Sequence, residues 1–431
     1  MKKIILILLV CLLFIPCLYA QESEFVEIEF VSDEDLLEKQ KAPFRIGDRF
    51  FEIGFNAEFI VSNNYLSIGE IFSKTIVLDI DKLKSGFKFN FGVGATPLYF
   101  NFDSHKGWGF GMSLNADVTG ILGISGKLLS FNETEGDKSD LSGAAHLSAE
   151  FKSFFHIQNF KVKVKPALYY TLAYIKPDVS YTFLNTAQGT EFFIDYDIRL
   201  YTVFPMEDYP NSFKLTGTPG FDISLGVEYP LSKALGLNKF LPFLDFDVGL
   251  DLVNIPIISS TVRDYMDIKG KFGSDEPFYV ISEDTLENEG EEGGNSSGLG
   301  SIFNNTYTNS YGVESVKMER PFKILISANW RPLNGSRLLT ITPVLGFSIS
   351  RLYLQPFNFE GGINATLDLA NLFILTAGIN HFDQIWINSL DFSFNFRAIQ
   401  LDLGIDMRSQ DFIKSWAASG IGVRIGLRFG W

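Results

Sequence analysis

Residues 421–431 read IGVRIGLRFGW. Ile421, Val423, Ile425, Leu427, Phe429 and Trp431 are apolar, while Gly422, Arg424, Gly426, Arg428 and Gly430 between them are small or cationic. Successive side chains of an extended strand point to opposite faces, so this stretch has one wholly apolar face and one polar face with gaps at the glycines. Its length also suits the ~9–11 residues that a tilted strand needs to cross a bilayer.

The same alternation recurs along the chain. Phe51, Ile53, Phe55, Ala57, Phe59 and Val61 alternate with Glu52, Gly54, Asn56 and Glu58. Phe87, Phe89, Phe91 and Val93 oppose Lys88, Asn90, Gly92 and Gly94, and Trp108, Phe110, Met112 and Leu114 oppose Gly109, Gly111, Ser113 and Asn115. Phe221, Ile223, Leu225 and Val227 oppose Asp222, Ser224, Gly226 and Glu228; Leu244, Phe246, Val248 and Leu250 oppose Asp245, Asp247, Gly249 and Asp251. Near the carboxyl end Leu390, Phe392, Phe394 and Phe396 share a face. The phase then slips by one at Arg397-Ala398 and resumes with Ile399, Leu401, Leu403, Ile405 and Met407, as a tight hairpin turn requires. The chain holds 43 Phe and is 15% aromatic, yet no stretch after residue 20 approaches the ~18 unbroken apolar residues of a membrane helix. These features predict an all-β fold, an antiparallel transmembrane β-barrel. Dividing by roughly 26–30 residues per strand and connection gives about 14 strands, within a range of about 12–16.

Alternation alone does not say which face is inside; the amino terminus helps to decide. Lys2 and Lys3, an apolar run over residues 4–16, and Ala20 before Gln21 form a secretory signal peptide, residues 1–20. Cys17 raises lipidation, but Phe14-Ile15-Pro16 before it is a poor lipidation sequence. Both cysteines, Cys11 and Cys17, lie in this segment, so the mature chain is expected to use neither disulfides nor thiolate chemistry. It keeps 34 basic and 51 acidic residues, a formal charge of −17, which argues against nucleic acid as a partner. Residues 21–48 are an acidic periplasmic leader or plug, and 49–431 the barrel. Within it, 65–83 has apolar residues closer to helical than to alternating spacing, a candidate for a short lumenal helix or hatch. Residues 259–319, Gly-, Ser- and Asn-rich at 290–301, exceed an ordinary connection and are expected to form a large outer loop. Its acidic residues lack the spacing of a Ca²⁺ loop and read as a solvated surface. Further outer loops are expected at 132–142 and 185–191, a longer connection at 409–418, and a connection with one short helix at 229–243.

If the apolar faces meet lipid, the opposite faces line the lumen. Lys161, Lys163 and Lys165 then form a cationic ladder, and Asp245, Asp247 and Asp251, with Asp222 and Glu228, an anionic one. The last hairpin sets Asp402, Asp406 and Arg408 against Arg424 and Arg428. Such rows either set ion selectivity across a pore or pair with one another and leave a merely polar interior. Catalysis is not expected. His105, His146, His156 and His381 make no recognisable constellation, and no nucleophile elbow, phosphate loop or zinc-protease motif is present. No cofactor and no metal site is expected.

The terminal Phe429 and Trp431 resemble the carboxyl-terminal assembly signal of outer-membrane β-barrels. In size and layout the whole mature chain is similar to the long-chain fatty-acid transporter (FadL) family of 14-stranded barrels. That family's hatch lies at the extreme amino terminus with an Asn-Pro-Ala motif, whereas here 21–48 has none and the candidate hatch follows the first strand. The resemblance implies an outer-membrane channel or facilitated-diffusion transporter for small solutes, hydrophobic ones among them. Membrane lipid, the barrel-assembly machinery and a small-molecule solute are then its partners, its carboxyl terminus is periplasmic, and its oligomeric state stays open. A surface adhesin or structural barrel that binds through 259–319 is the other reading. Deleting Trp431 is expected to block membrane assembly, seen as loss of the heat-modifiable band on electrophoresis of outer-membrane fractions.

Overall fold

A computed structural model of the chain describes residues 49–65, 67, 86–124, 126–129, 134–186, 189–205, 215–237, 241, 243–274, 303–333, 336–350, 356–396 and 398–430. The signal peptide, the acidic leader, nearly all of the candidate hatch, the tip of the long outer segment, Arg397 and Trp431 lie outside these residues. Among the described residues there are seventeen strands. They are β1 (Phe51–Asn63), β2 (Phe87–Asp103), β3 (Trp108–Ile124), β4 (Thr134–Ile157), β5 (Phe160–Thr186), β6 (Gly189–Thr202), β7 (Gly220–Tyr229), β8 (Asp245–Ile258) and β9 (Ser260–Ser274). They continue with β10 (Phe303–Met318), β11 (Phe322–Arg331), β12 (Leu339–Ile349), β13 (Phe357–Leu369), β14 (Phe373–Phe382), β15 (Ile385–Phe396), β16 (Ile399–Ser409) and β17 (Gly420–Gly430). Three short helices accompany them: α1 (Gly126–Leu129), α2 (Leu231–Ala234) and α3 (Phe412–Trp416).

Fourteen of the strands close an antiparallel barrel. The ladder runs β1 to β5, passes to β7 and β8, and continues through β11 to β17. β17 then pairs back onto β1 from Glu52↔Gly430 to Ser62↔Gly420. The terminal segment quoted above is thus the strand that completes the wall. The hairpin at Arg397-Ala398 is borne out by the Phe396↔Ile399 pair, and the connection after Tyr229 carries α2 as expected.

Alternation sorts the side chains as a membrane barrel requires. Outward-pointing Phe59, Leu345, Phe359 and Ile425 are 51, 60, 58 and 47% exposed, whereas Asn90, Glu360, Asp406 and Arg408 are 3, 0, 1 and 6% exposed on the inner face. A water-soluble barrel would show the reverse. Aromatic residues gather on the outside near both rims. Trp108, Phe102 and Phe110 cluster at the end that carries Gly430, as do Phe160 and Tyr229. Phe347 with Phe357, and Trp386 with Phe412 of α3, sit at the other end. Such girdles mark the two membrane–water interfaces.

The segment 259–319, expected to form a large outer loop, is built in its described part from strands. Its arms are strands β9 and β10, and together with β6 they stand on the barrel rim above β7, β8 and β11. β5 carries both tiers: 161–169 pairs with β7 and 173–186 with β6. β4 likewise begins at Thr134, inside a stretch expected to be loop. The result is a five-stranded outer sheet, β4-β5-β6-β9-β10. Stretches such as NTYTNSY in β10 were unreadable as strand because their alternation is between polar types, with few apolar residues to mark a face.

Where strands change partner, backbone groups lose their ladder and side chains replace it. Thr171 N–H donates to Ser260 Oγ at 3.0 Å, and Ser260 Oγ donates to the Thr218 carbonyl at 3.0 Å. The Tyr169 hydroxyl reaches across the wall to the Met318 carbonyl at 3.1 Å. Tyr201, Val203, Val262 and Met318 pack beside this seam as the one cluster of fully buried apolar residues described.

If this sorting is right, Ile425→Arg at the middle of β17 destabilises the barrel by about 2–4 kcal/mol. Urea unfolding in lipid vesicles measures it, and a neutral effect would place that face away from lipid.

Candidate functional site: a lumen of paired charges

The inner face of the barrel carries charge on nearly every strand, and the register decides who meets whom. On one wall, Lys161 and Lys163 of β5 both reach Glu228 of β7, Lys161 at 3.7 Å. Lys165 turns the other way, to Glu150 of β4 at 3.0 Å. Asp222 is held by a two-pronged contact from Arg320, Nε to Oδ2 and Nη2 to Oδ1, both at 2.8 Å. Arg320 also donates to Glu150 at 2.6 Å and lies over the Tyr169 ring at 5.4 Å. Asp245 and Asp247 of β8 share Arg331 of β11, Asp245 at 3.2 Å. Asp251 faces the same interior across Gly226, whose missing side chain makes room for its carboxylate.

On the closing wall the pairs are diagonal. Arg428 of β17 meets Asp402 of β16 at 2.7 Å. Arg424 donates to Asp406 at 2.6 Å and to Asp391 of β15 at 2.8 Å. Asp406 accepts a second guanidinium, Arg408 Nε at 3.0 Å, and Arg408 Nη2 reaches Glu58 of β1 at 2.6 Å. Two glycines let these long side chains lie flat. A Cβ on Gly422 would stand 2.6 Å from the Asp406 carboxylate, and one on Gly404 would stand 2.8 Å from Arg424 Nε. This network lines a recess of about 320 Å³, with Asn56, Glu58, Tyr99, Ser393, Asp402 and Arg424 among the residues around it.

The ladders expected from sequence therefore exist on the inner face but do not stand as opposed rows. Each is broken into pairs with its neighbours in the wall. The last hairpin brings its charges together as expected. Phe429 lies on the outer face, paired with Ile399 and Ile53. Sequence reasoning missed Glu150, Arg320, Arg331, Asp391 and the pairing role of Glu58. Glu150 and Asp391 were within reach, because each stands on the polar phase of an alternating run (Glu150 between Ala149 and Phe151, Asp391 between Leu390 and Phe392). Arg331 was within reach as well, since it ends β11 on the same phase as Ser327 and Asn329, whereas Arg320 sits in a strand break, where no local pattern marks it.

Gly109 and Gly111 make room for Phe154 and Asn101 of the wall itself. The histidines are dispersed. His146 meets Thr171 Oγ1 at 3.2 Å, while His156 and His381 each place Nδ1 2.9 Å from a backbone carbonyl, that of Gly107 and of Phe359 respectively. His105 stands 3.7 Å from Asp103.

No protein-family model matches the chain, and no curated protein matches it. Among solved structures it is similar to the toluene transporter TodX of P. putida, with a TM-score of 0.48 and 11% identity over 89% of this chain and 90% of that one. It is also similar to the CymD monoaromatic hydrocarbon channel, with a TM-score of 0.44 and 10% identity over 90 and 89%. The translocator domain of the autotransporter NalP from Neisseria meningitidis scores 0.32, with 7% identity over 92 and 93%.

Asp222 is almost fully buried, and removing one partner of such a pair leaves an uncompensated charge. Arg320→Met is expected to cost about 3–5 kcal/mol, and adding Asp222→Asn to recover most of it. The double-mutant cycle by urea unfolding checks this; additive losses would mean the pair carries no coupling.

Proposed function

We propose that the protein is an outer-membrane channel or facilitated-diffusion transporter for small solutes, hydrophobic ones among them. One observation carries the reading: a closed wall of fourteen strands that is apolar outside and charged inside. Eight strands are enough for side chains to fill a barrel; wider ones leave space. Lys161, Arg424 and Arg428 keep a third or more of their side-chain surface accessible on the inner face, as charges beside water do. Tyr99 and Phe154 stand on the same face, which favours a solute with an apolar part beside polar groups. The pore-lining residues proposed are Lys161, Lys163, Lys165, Asp222, Glu228, Asp245, Asp247, Asp251, Asp402, Asp406, Arg408, Arg424 and Arg428.

The apolar outer face suits membrane lipid, and Phe429 with Trp431 suits recognition by the barrel-assembly machinery. Of the six connections at the end that carries Gly430, four are turns of two to four residues (104–107, 158–159, 370–372 and 397–398). Short turns favour the periplasm, which supports a periplasmic carboxyl terminus and an outer sheet that faces the cell exterior. That sheet also favours the second reading, a surface adhesin or structural barrel that binds through 259–319.

Conductance of the purified protein in planar bilayers separates the two readings. Because cations and carboxylates on the inner face are close to balance, a channel is expected to select weakly between Na⁺ and Cl⁻. Arg424→Glu is expected to shift reversal potentials toward cation preference. Deleting 264–310 should leave the conductance of a channel in place while abolishing adhesion. An intact, heat-modifiable barrel with no conductance and no solute flux would overturn the channel reading.

A further inference from the structure

β10 is paired on one edge only. β9 covers it from Phe303↔Ser274 to Met318↔Ser260, and among the described residues no strand pairs with the other edge. Below Pro321 the situation changes, because β11 is flanked on both sides, by β8 and β12. Among the described residues, the edge of β10 without a partner strand therefore belongs to the outer sheet alone.

Natural sheets blunt such edges with lysine, proline or a bulge, since a row of unmet N–H and C=O groups is a template for another strand. Residues 304–313 read NNTYTNSYGV, without a charge or a proline, in a chain that is 20% charged. The irregularity in pairing comes only afterwards, between Val313 and Val316. Tyr307, Tyr311 and Val313 are 63, 49 and 61% exposed, and Thr308, Asn309 and Ser310 are exposed as well. Register gives the two faces of this edge different chemistry. Tyr311 stands opposite Met266, which stands opposite Leu200; Asn309 stands opposite Ile268, which stands opposite Ile198. That row prolongs the apolar outer face. On the inner face Thr308 and Ser310 stand opposite Lys269 and Asp267.

We propose that the edge of β10 at 304–313 is a docking site for an extended segment of a partner protein, which joins the outer sheet as a sixth strand. Main-chain hydrogen bonds would hold it, and alternate side chains would select it. The segment it fits is apolar at every second residue, to continue the Tyr307–Tyr311–Val313 row, and hydroxyl- or amide-bearing at the others. A second copy fits poorly. Two barrels in one membrane share the direction of β10, and a two-fold axis along the membrane normal crosses strands tilted by ~35–45° at roughly twice that angle, too steep for a ladder. The site is independent of conduction, so it stands or falls apart from the channel reading.

The test uses the full-length protein in detergent micelles and a short synthetic peptide that alternates valine or tyrosine with threonine. Peptide binding is followed by fluorescence anisotropy and by amide hydrogen exchange on β10. Thr308→Pro and Asn309→Pro each remove one N–H. Adjacent residues point these groups to opposite edges, so one variant harms the β9 ladder while the other alters only the free edge. The expected result is slowed exchange within 304–313 on adding peptide. Binding should also weaken roughly tenfold in the proline variant that keeps the slow amide exchange of its β9–β10 ladder, as loss of one or two hydrogen bonds implies. Absence of binding, or binding that leaves 304–313 exchange unchanged or survives both prolines, overturns the proposal. Slowed exchange that rises with protein concentration and needs no peptide assigns the edge to a second copy and overturns it too.

Discussion

Hydrocarbon offers no hydrogen bonds, and this architecture follows from that constraint. A strand that meets lipid must give every N–H and C=O to a neighbouring strand, and only a closed ladder leaves none over. β17 meeting β1 is the closure. The seam shows the same rule under strain. Where β5 exchanges β7 for β6, the ladder fails for a few residues, and Thr171, Ser260 and Tyr169 supply the missing bonds with side chains and backbone in combination. Above the seam the outer sheet leaves the closed wall, and a free edge becomes tolerable there because water can serve it.

Closure also fixes the electrostatics. With a wall one strand thick, every second residue projects inward, and charges on adjacent strands are brought within reach of one another. The shared carboxylate of Asp406, held by both Arg408 and Arg424, is the densest case. Glycines opposite these side chains serve as floor space. Gly404 and Gly422 let guanidinium groups lie along the wall, where a Cβ would meet them.

Much of this was legible in the sequence, for a physical reason: alternation has a period of two, and it survives in any strand whose faces meet different media. The Phe396–Ile399 hairpin and the inward direction of Lys161, Asp245 and Arg424 follow from it, while the strand number follows from chain length divided among strands that must each cross the membrane. Register does not, because it depends on which residue of the next strand stands opposite. Hence Lys163 was visible as a charge facing the lumen, but its partner Glu228 was not visible as a partner. The outer sheet escaped notice because both of its faces meet water near β10, which erases the contrast that alternation needs. Arg320 escaped for a different reason: it lies in the Glu319-Arg320-Pro321 break between two strands, where periodicity stops.

The neighbours that seal the wall are β1 and β17, the first and last strands among the described residues. Glu52 and Gly430 are partners across almost the whole sequence, so the cylinder has no intermediate form that is both closed and incomplete. Until residues 420–430 arrive, thirteen barrel strands form at best a curved sheet with two bare edges. Such long-range pairing is slow to form and exposed to aggregation while it waits. A chain built this way keeps two unpaired strand edges, and the aggregation they invite, until β17 meets β1.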